Sequence, residues 1–535
     1  MKRREFIILT SVGAASAGVL SSCGHPDERL IPALIPDDDY IPGIDYWKSS
    51  TCGMCSAGCG VIVRTRERKA NKIEGNPNHP LNSGALCARG QAGLQLLYNP
   101  DRIRGPLKLT GSRGSGEFSP ITWDEAVKTL ATRLREARTQ RDSVVFVTAD
   151  QGGVTGLAAE AVAGACNSTR LIAAAMTNEA ETVASYESIY GVNGIPYFDI
   201  ANATYLISFG ARFLETWHSP VMYSLAYAEF RRSAGRVRGK LVQVEPRMSL
   251  TGGNADEWLP ALPGSEGLLA LAIAQVIVRE NLAAAPPAPA FLTEPLDEYA
   301  PEKTAEHIDV SAEKIVRIAR EFAKSDRPVA IGGGAASDLR AVHYLNLVVD
   351  NLGKSGGVIT EAAARFDPLA TLRTKAFEWS SDLEGALGQG RTKALLVHQA
   401  NPAYLAPSTV ESLKSVPFIA SFSSLMDETT GLADLVLPDH TYLENWDLTA
   451  AYPSNNKRIV TLSAPVVQRE FDTRQTADVL IATLRELGEG AEKLLSFASS
   501  EEIVRKAAAA LRAQAGSITA ENDDDFWTAF AERGV

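Results

Sequence analysis

Four of the six cysteines in this chain of 535 residues fall between positions 52 and 87, spaced Cys52-x2-Cys55-x3-Cys59-x27-Cys87, and that spacing restricts what the amino-terminal region can fold around. Four thiolates suffice to cap the four irons of an iron–sulfur cluster. Gly53, Gly58 and Gly60 between and beside them let the backbone turn tightly. The same donors suit a structural zinc, and an exported chain can use cysteines as disulfides. Disulfides rank last, because Cys-x2-Cys is poor geometry for them. A chain this long with 45% hydrophobic residues also buries a core that needs no such staples. On the residues alone, cluster, zinc and disulfide stay open in that order.

The formal charge of −11 argues against a nucleic-acid partner, since polyanion binding draws on clustered Lys and Arg and no such stripe is present. The seven histidines include no i, i+4 pair that would place two imidazoles on one helical face, which speaks against a histidine-based metal hydrolase. Residues 1–23 read as an address: Lys2-Arg3-Arg4, an apolar run from Phe6 to Leu20, then Leu20-Ser21-Ser22-Cys23. Arg3-Arg4 before Glu5-Phe6-Ile7 resembles a twin-arginine signal, used by proteins that fold around a cofactor before crossing the membrane. The ending resembles a bacterial lipobox, which makes Cys23 the lipidated first residue of the mature chain; an ordinary cleaved signal or an uncleaved anchor are the alternatives. Residues 24–45 read as a linker. The runs Asp37-Asp38-Asp39 and Asp523-Asp524-Asp525 read as solvated charge, without chemistry.

Beyond Pro120, apolar β-rich runs alternate with amphipathic helical stretches, the pattern of βα units around a parallel sheet. Ser143–Thr148, Ala203–Gly210 and Lys240–Val244 read as one set of strands, with a helix over Thr155–Cys166. Pro328–Gly334, Lys393–Val397, Pro417–Ser421 and Asp434–Leu437 read as a second set. Ala284–Ala290, AAPPAPA, reads as a surface loop. Cys166 closes an apolar helix, where a free cysteine is usually a small core residue.

The cysteine spacing followed by Cys87-Ala88-Arg89-Gly90, behind a twin-arginine signal, resembles the large subunits of the molybdopterin (bis-guanine-dinucleotide) oxidoreductases, over nearly the whole chain. Val61–Asn76 is similar to that family's strand pair after the third cysteine. The resemblance implies an α/β fold: a small N-terminal 4Fe–4S domain plus two doubly wound parallel-sheet domains, one inserted in the other. The expected boundaries are 46–110 for the cluster domain, 111–265 and 360–490 for dinucleotide-binding-like regions, 266–359 for the insertion and 491–535 for a C-terminal helical tail. It implies Cys52, Cys55, Cys59 and Cys87 as cluster ligands and Arg89 as the electron-relay cation between cluster and pterin. Cofactor contacts are carried over at Gly210 in Phe209-Gly-Ala-Arg212, Glu245 and Arg247 in Val244-Glu-Pro-Arg247, Gly264 in the Leu262–Glu266 loop, Asn401 in Ala400-Asn-Pro402, and Asp434 in Ala433–Pro438. Arg212 stands where the family often has Asn.

Two departures shape the functional expectation. Catalytic members bind molybdenum through Cys, selenocysteine, Ser or Asp, yet Arg170–Gly191 holds no Cys or Asp. Met176, Thr177, Asn178 and Glu179 occupy the corresponding place, with Ser185 and Ser188 further along and Cys166 too early. The family also ends in a barrel-like domain that closes over both pterins, expected here on another chain or shortened. The cofactors expected are therefore a 4Fe–4S cluster and, less completely, molybdopterin guanine dinucleotide. The subfamily resembled is that of polysulfide and thiosulfate reductases and the large subunit of alternative complex III. It implies an oxidoreductase subunit passing electrons in a membrane-associated, quinone-linked complex at the periplasmic face. Its expected partners are a ferredoxin-like multi-cluster subunit and a quinone-linked membrane subunit. The alternatives are a molybdenum reductase of small sulfur anions and a non-catalytic scaffold that docks the multi-cluster subunit.

Overall fold

The computed structural model describes residues 43–535 apart from 150–151, 174–178, 233–237, 284–289, 293, 335, 362–365, 374, 376, 389, 452–454 and 515. The export signal with Cys23, nearly all of the 24–45 linker with Asp37-Asp38-Asp39, the positions Met176 to Asn178 and all but the last residue of the Ala284–Ala290 loop lie outside the described residues.

Tyr46–Val535 form one unit. It begins with an antiparallel sheet of β1 (Tyr46–Thr51), β2 (Gly60–Arg66) and β3 (Lys69–Gly75), followed by short helices α1 (Ala88–Gln91) and α2 (Gly93–Leu97). Two edge strands come next, β4 (Leu107–Leu109) and β5 (Phe118–Pro120). Helix α3 (Trp123–Ala137) starts at a capping box in which Thr122 and Glu125 satisfy each other's backbone N–H. Then follow β6 (Val144–Thr148), α4 (Gly153–Ala165) and β7 (Leu171–Ala173). The chain leaves through α5 (Glu179–Tyr190) to β8 (Tyr205–Phe209), α6 (Pro220–Arg231), β9 (Lys240–Val244), β10 (Glu257–Leu259), α7 (Glu266–Arg279), α8 (Ala312–Lys324), β11 (Pro328–Gly332) and α9 (Ala336–Val348). It returns with β12 (Trp379–Ser380), β13 (Ala394–His398), β14 (Phe418–Phe422), β15 (Leu435–Val436), the hairpin β16 (Asp447–Ala450) and β17 (Val460–Ser463), and helices α10 (Thr476–Leu487), α11 (Ser500–Arg512) and α12 (Asp523–Arg533).

The outer sheet runs β12-β7-β6-β13-β14-β15, every pair parallel, with β4 and β5 added antiparallel at one edge. β6 lies at the centre, so the chain steps outward on one side through β7 and β12 and on the other through β13, β14 and β15. The inserted sheet runs β10-β9-β8-β11, again parallel, with β8 where the order reverses. Both are doubly wound, and each leaves a crevice at the carboxyl ends of its reversal pair, β6/β13 and β8/β11. Strands β6, β8, β11, β13 and β14 are buried at every position, as expected of strands covered on both faces.

The expected strands all form, shifted by no more than two residues at either end, but the expected partition does not. β8, β9 and β10 were grouped with the 111–265 region, yet they pair with β11, so the inserted sheet starts well before 266. Strands of the two sheets share one composition, and only non-local pairing separates them. Residues 491–535 are not a tail: Ile503, Val504, Ala507, Phe526 and Phe530 share one core with β6, α3, α4 and α10. Cys166 sits in that same core, fully buried. Among the described residues no helix is long and apolar enough to cross a membrane.

Candidate cluster site and strand-end crevices

The loop from β1 to β2 carries three of the four cysteines, and the turn into α1 brings the fourth to face them. The Cys52 N–H donates to the Cys59 carbonyl at 2.8 Å, which closes the loop on itself, and Gly58 turns it at φ +67°. Cys52 and Cys59 are buried, whereas Cys55 and Cys87 are half-buried. Burial pushes the Cys52 thiol up to about 12, Cys55 and Cys87 add to the rise, and Arg89 opposes it. Cys59 is raised by burial and then by Cys52, Cys55 and Cys87. The four thiols therefore share one pocket, with Arg89 on α1 within electrostatic reach. Such a pocket holds thiolates only with cations among them, as iron supplies.

Around one zinc, four sulfurs at 2.3 Å would stand roughly 3.8 Å apart. Among the described residues no three His, Cys, Asp or Glu side chains meet a single-ion arrangement. Four cysteines with no imidazole or carboxylate among them are a donor set that suits a four-iron cluster.

At the inserted sheet's crevice, Gly210 ends β8 at φ +67°, Gly264 precedes α7 at φ +79°, and Arg247 is exposed beyond β9. A side chain at Gly333 would lie 2.8 Å from the Gly210 carbonyl, so the end of β11 needs glycine for this close approach, while Gly210 needs it for its left-handed φ. Met248, Leu250 and Leu262, in the segments that follow β9 and precede α7, are exposed apolar side chains.

Three expected contacts are placed otherwise. Glu245 is 1% exposed and its oxygens accept from the Ser249 N–H at 2.6 Å and the Gln243 amide at 3.2 Å, so it organises its own turn and does not face a ligand. Asn401 is spent on Glu428 at 2.6 Å and Thr429 Oγ1 at 2.8 Å. Asp434 precedes β15 and so lies at the opposite, amino edge of the outer sheet, where it holds Arg113 and the Ile419 N–H. The phrases that carried these residues are strand ends in both readings; sequence does not tell which way a side chain turns.

The outer crevice carries groups the sequence did not flag. His398 at the end of β13 bridges Thr148 at the end of β6 (Nδ1 to Oγ1, 2.9 Å) and Asp439 (Nε2 to Oδ2, 3.0 Å). Burial pushes Asp439 up, but the bond to His398 and the charges of His398 and His440 hold it below the usual carboxylate range. The first βα turn, where dinucleotide folds seat phosphate on a helix N-terminus, is taken by protein. The Val154 N–H donates to Asp447 Oδ1 at 2.8 Å, and a Cβ on Gly153 would strike that carboxylate. Helix α4 has no cap from its own Ncap residue, Gly152, and Asp447 supplies the acceptor. Asp447→Ala is expected to cost about 1–2 kcal/mol, as loss of a capping acceptor does, read as a lower thermal midpoint. Ser188 donates to the Ser185 carbonyl at 2.9 Å within α5.

A strip of antiparallel strands bearing four converging cysteines, joined to two nested doubly wound sheets, defines an iron–sulfur protein of the dinucleotide-cofactor type. The model of the molybdopterin oxidoreductase Fe4S4 domain matches residues 45–99 and that of molybdopterin oxidoreductase matches 102–485, so the chain belongs to the molybdopterin oxidoreductase family. The two matches support a 4Fe–4S cluster and a molybdopterin as its cofactors. The chain is 28% identical to the menaquinone reductase molybdopterin-binding-like subunit of Nitratidesulfovibrio vulgaris, over 95% of this chain and 75% of that protein. It is 27% identical to the thiosulfate reductase molybdopterin-containing subunit of Salmonella typhimurium, over 74% of this chain and 58% of that one. The fold is shared with acetylene hydratase from Pelobacter acetylenicus, at a TM-score of 0.68 and 18% identity, over 86% of this chain and 71% of that one.

Proposed function

We propose that this chain is an electron-transferring subunit of a membrane-associated, quinone-linked respiratory complex. In this reading Cys52, Cys55, Cys59 and Cys87 hold one 4Fe–4S cluster and Arg89 offsets its charge on the path toward the pterin. The observation that carries the reading is the convergence of all four cysteines on one core, with Arg89 within electrostatic reach of Cys52. The cluster, when bound, supplies one-electron transfer. The chain's residues exclude water from Cys52 and Cys59, orient the loop through the Cys52–Cys59 backbone bond, and place a cation where added negative charge would build. Gly210, Arg247 and Gly264 would meet the pterin dinucleotide at the inserted crevice, Arg247 by charge and the glycines by close backbone approach.

Export by the twin-arginine route and lipidation at Cys23 would put the protein on the periplasmic face, beside a multi-cluster subunit and a quinone-linked membrane subunit. The likeness to a menaquinone reductase subunit supports the quinone link. A second reading, a reductase of small sulfur anions, has the likeness to a thiosulfate reductase subunit in its favour. Elemental analysis of the anaerobically purified complex, with pterin assayed after release, tests both. About four irons per chain with little molybdenum or tungsten is expected. Iron-free protein would overturn the cluster assignment, and stoichiometric molybdenum with two pterins would move the conclusion to the sulfur-anion reductase.

A further inference from the structure

Tyr442 belongs by sequence to the outer α/β domain, yet its ring packs against the core that also takes in the four cysteines. Two glycines make room for it. A Cβ on Gly53, next to Cys52, would lie 2.5 Å from the Tyr442 Cβ, and one on Gly93, at the start of α2, would collide with its hydroxyl. The ring is thus wedged between the loop that carries Cys52, Cys55 and Cys59 and the segment that follows Cys87. A cluster held by all four cysteines lies between those same two segments.

The hydroxyl at the end of this wedge is shut off from solvent and has no hydrogen-bond partner among the described residues. A buried O–H left unpaired costs about 1–3 kcal/mol, so such groups are rare unless something absent from the chain satisfies them. The hydroxyl lies against Gly93, whose other near neighbour is Ile73 Cδ1.

We propose that Tyr442 donates its hydroxyl hydrogen to a sulfide of the cluster and thereby raises the cluster's reduction potential. The inference rests on the four cysteines holding the cluster. Reduction adds one negative charge to the cluster, and a fixed donor stabilises the more negative state more strongly. Tyr442 is in this sense a positioning and tuning residue and carries no electron itself.

The test is a potentiometric titration of the cluster, followed by electron paramagnetic resonance, in the intact complex with and without Tyr442→Phe. The ring wedge survives this change and only the hydroxyl is lost. The reduction equilibrium is expected to fall by up to tenfold, a downward shift of up to about 59 mV for one electron. Because the variant can lose iron, a second measurement replaces Tyr442 by 3-fluorotyrosine, whose more acidic hydroxyl donates more strongly and is expected to move the potential upward. Unchanged potentials in iron-replete protein would overturn the role of Tyr442 alone, whereas an iron-free wild type would overturn the cluster assignment beneath it.

Discussion

A Glu444→Leu variant is expected to lose about 3–5 kcal/mol of stability, the cost of leaving one member of a buried ion pair uncompensated. Arg102 and Glu444 meet at 2.9 Å with both side chains fully buried. Arg102 also donates to the Leu97 carbonyl at 2.8 Å and stacks on Phe471, so it cannot swing out to water without breaking the join between α2 and the outer domain. Glu444 accepts from the Thr441 and Glu470 N–H groups at 2.8 and 2.9 Å. Chemical denaturation gives the comparison, and the double variant Arg102→Met with Glu444→Leu is expected to recover much of the loss because no charge is then stranded. Burial pushes the Glu444 carboxyl up, but the two amides and Arg102 outweigh it and hold it below the usual range. A depressed carboxyl contributes stability above its unfolded value and loses it as pH falls through the folded one. The gap between wild type and variant is therefore expected to narrow in acid. A loss under about 1 kcal/mol at neutral pH would show the pair to be solvated in solution, as surface pairs are.

The same pair shows where sequence reading stops. Arg102 and Glu444 are 342 positions apart, and nothing local marks either as a partner. Local signals did well: the apolar runs read at Ser143–Thr148, Lys240–Val244 and Lys393–Val397 are strands to within a residue, and the helix read at Thr155–Cys166 forms to within two. The cysteine spacing was legible because one loop and one turn fix it. Direction was not. Asp434 lies one residue before a strand and Gly210 one residue after, so similar turn phrases fall on opposite edges of a sheet. Glu245 stands at the right strand end and still points inward, since Ser249 and Gln243 of its own turn and strand donate hydrogen bonds to it. Tyr442 and Asp447 act through contacts with residues hundreds of positions away, and the only trace each leaves in sequence is a glycine at the far side, Gly53 or Gly153. A glycine without a turn to explain it marks a close approach, though not by whom.

Cys59→Ser is expected to abolish the cluster, while Cys55→Ser is expected to leave a modified one. Both changes replace a thiolate by a poor iron ligand, so residue chemistry alone predicts equal effects. The difference comes from burial. Cys59 is 5% exposed, behind the loop closed by its own carbonyl to the Cys52 N–H, and no water can reach the iron it would abandon. Cys55 is half-buried on the open side of the loop, where water or hydroxide can complete the coordination of one iron. Iron content is then expected to fall from about four per chain to near zero for Cys59→Ser, and to three or four with an altered paramagnetic signal for Cys55→Ser. Cys166→Ser serves as the control, since that thiol is enclosed in the outer core and should not change the iron content. Full iron in Cys59→Ser would mean that the ligands are not these four. Equal loss in Cys55→Ser would mean that a partner surface or pterin seals the side on which Cys55 lies.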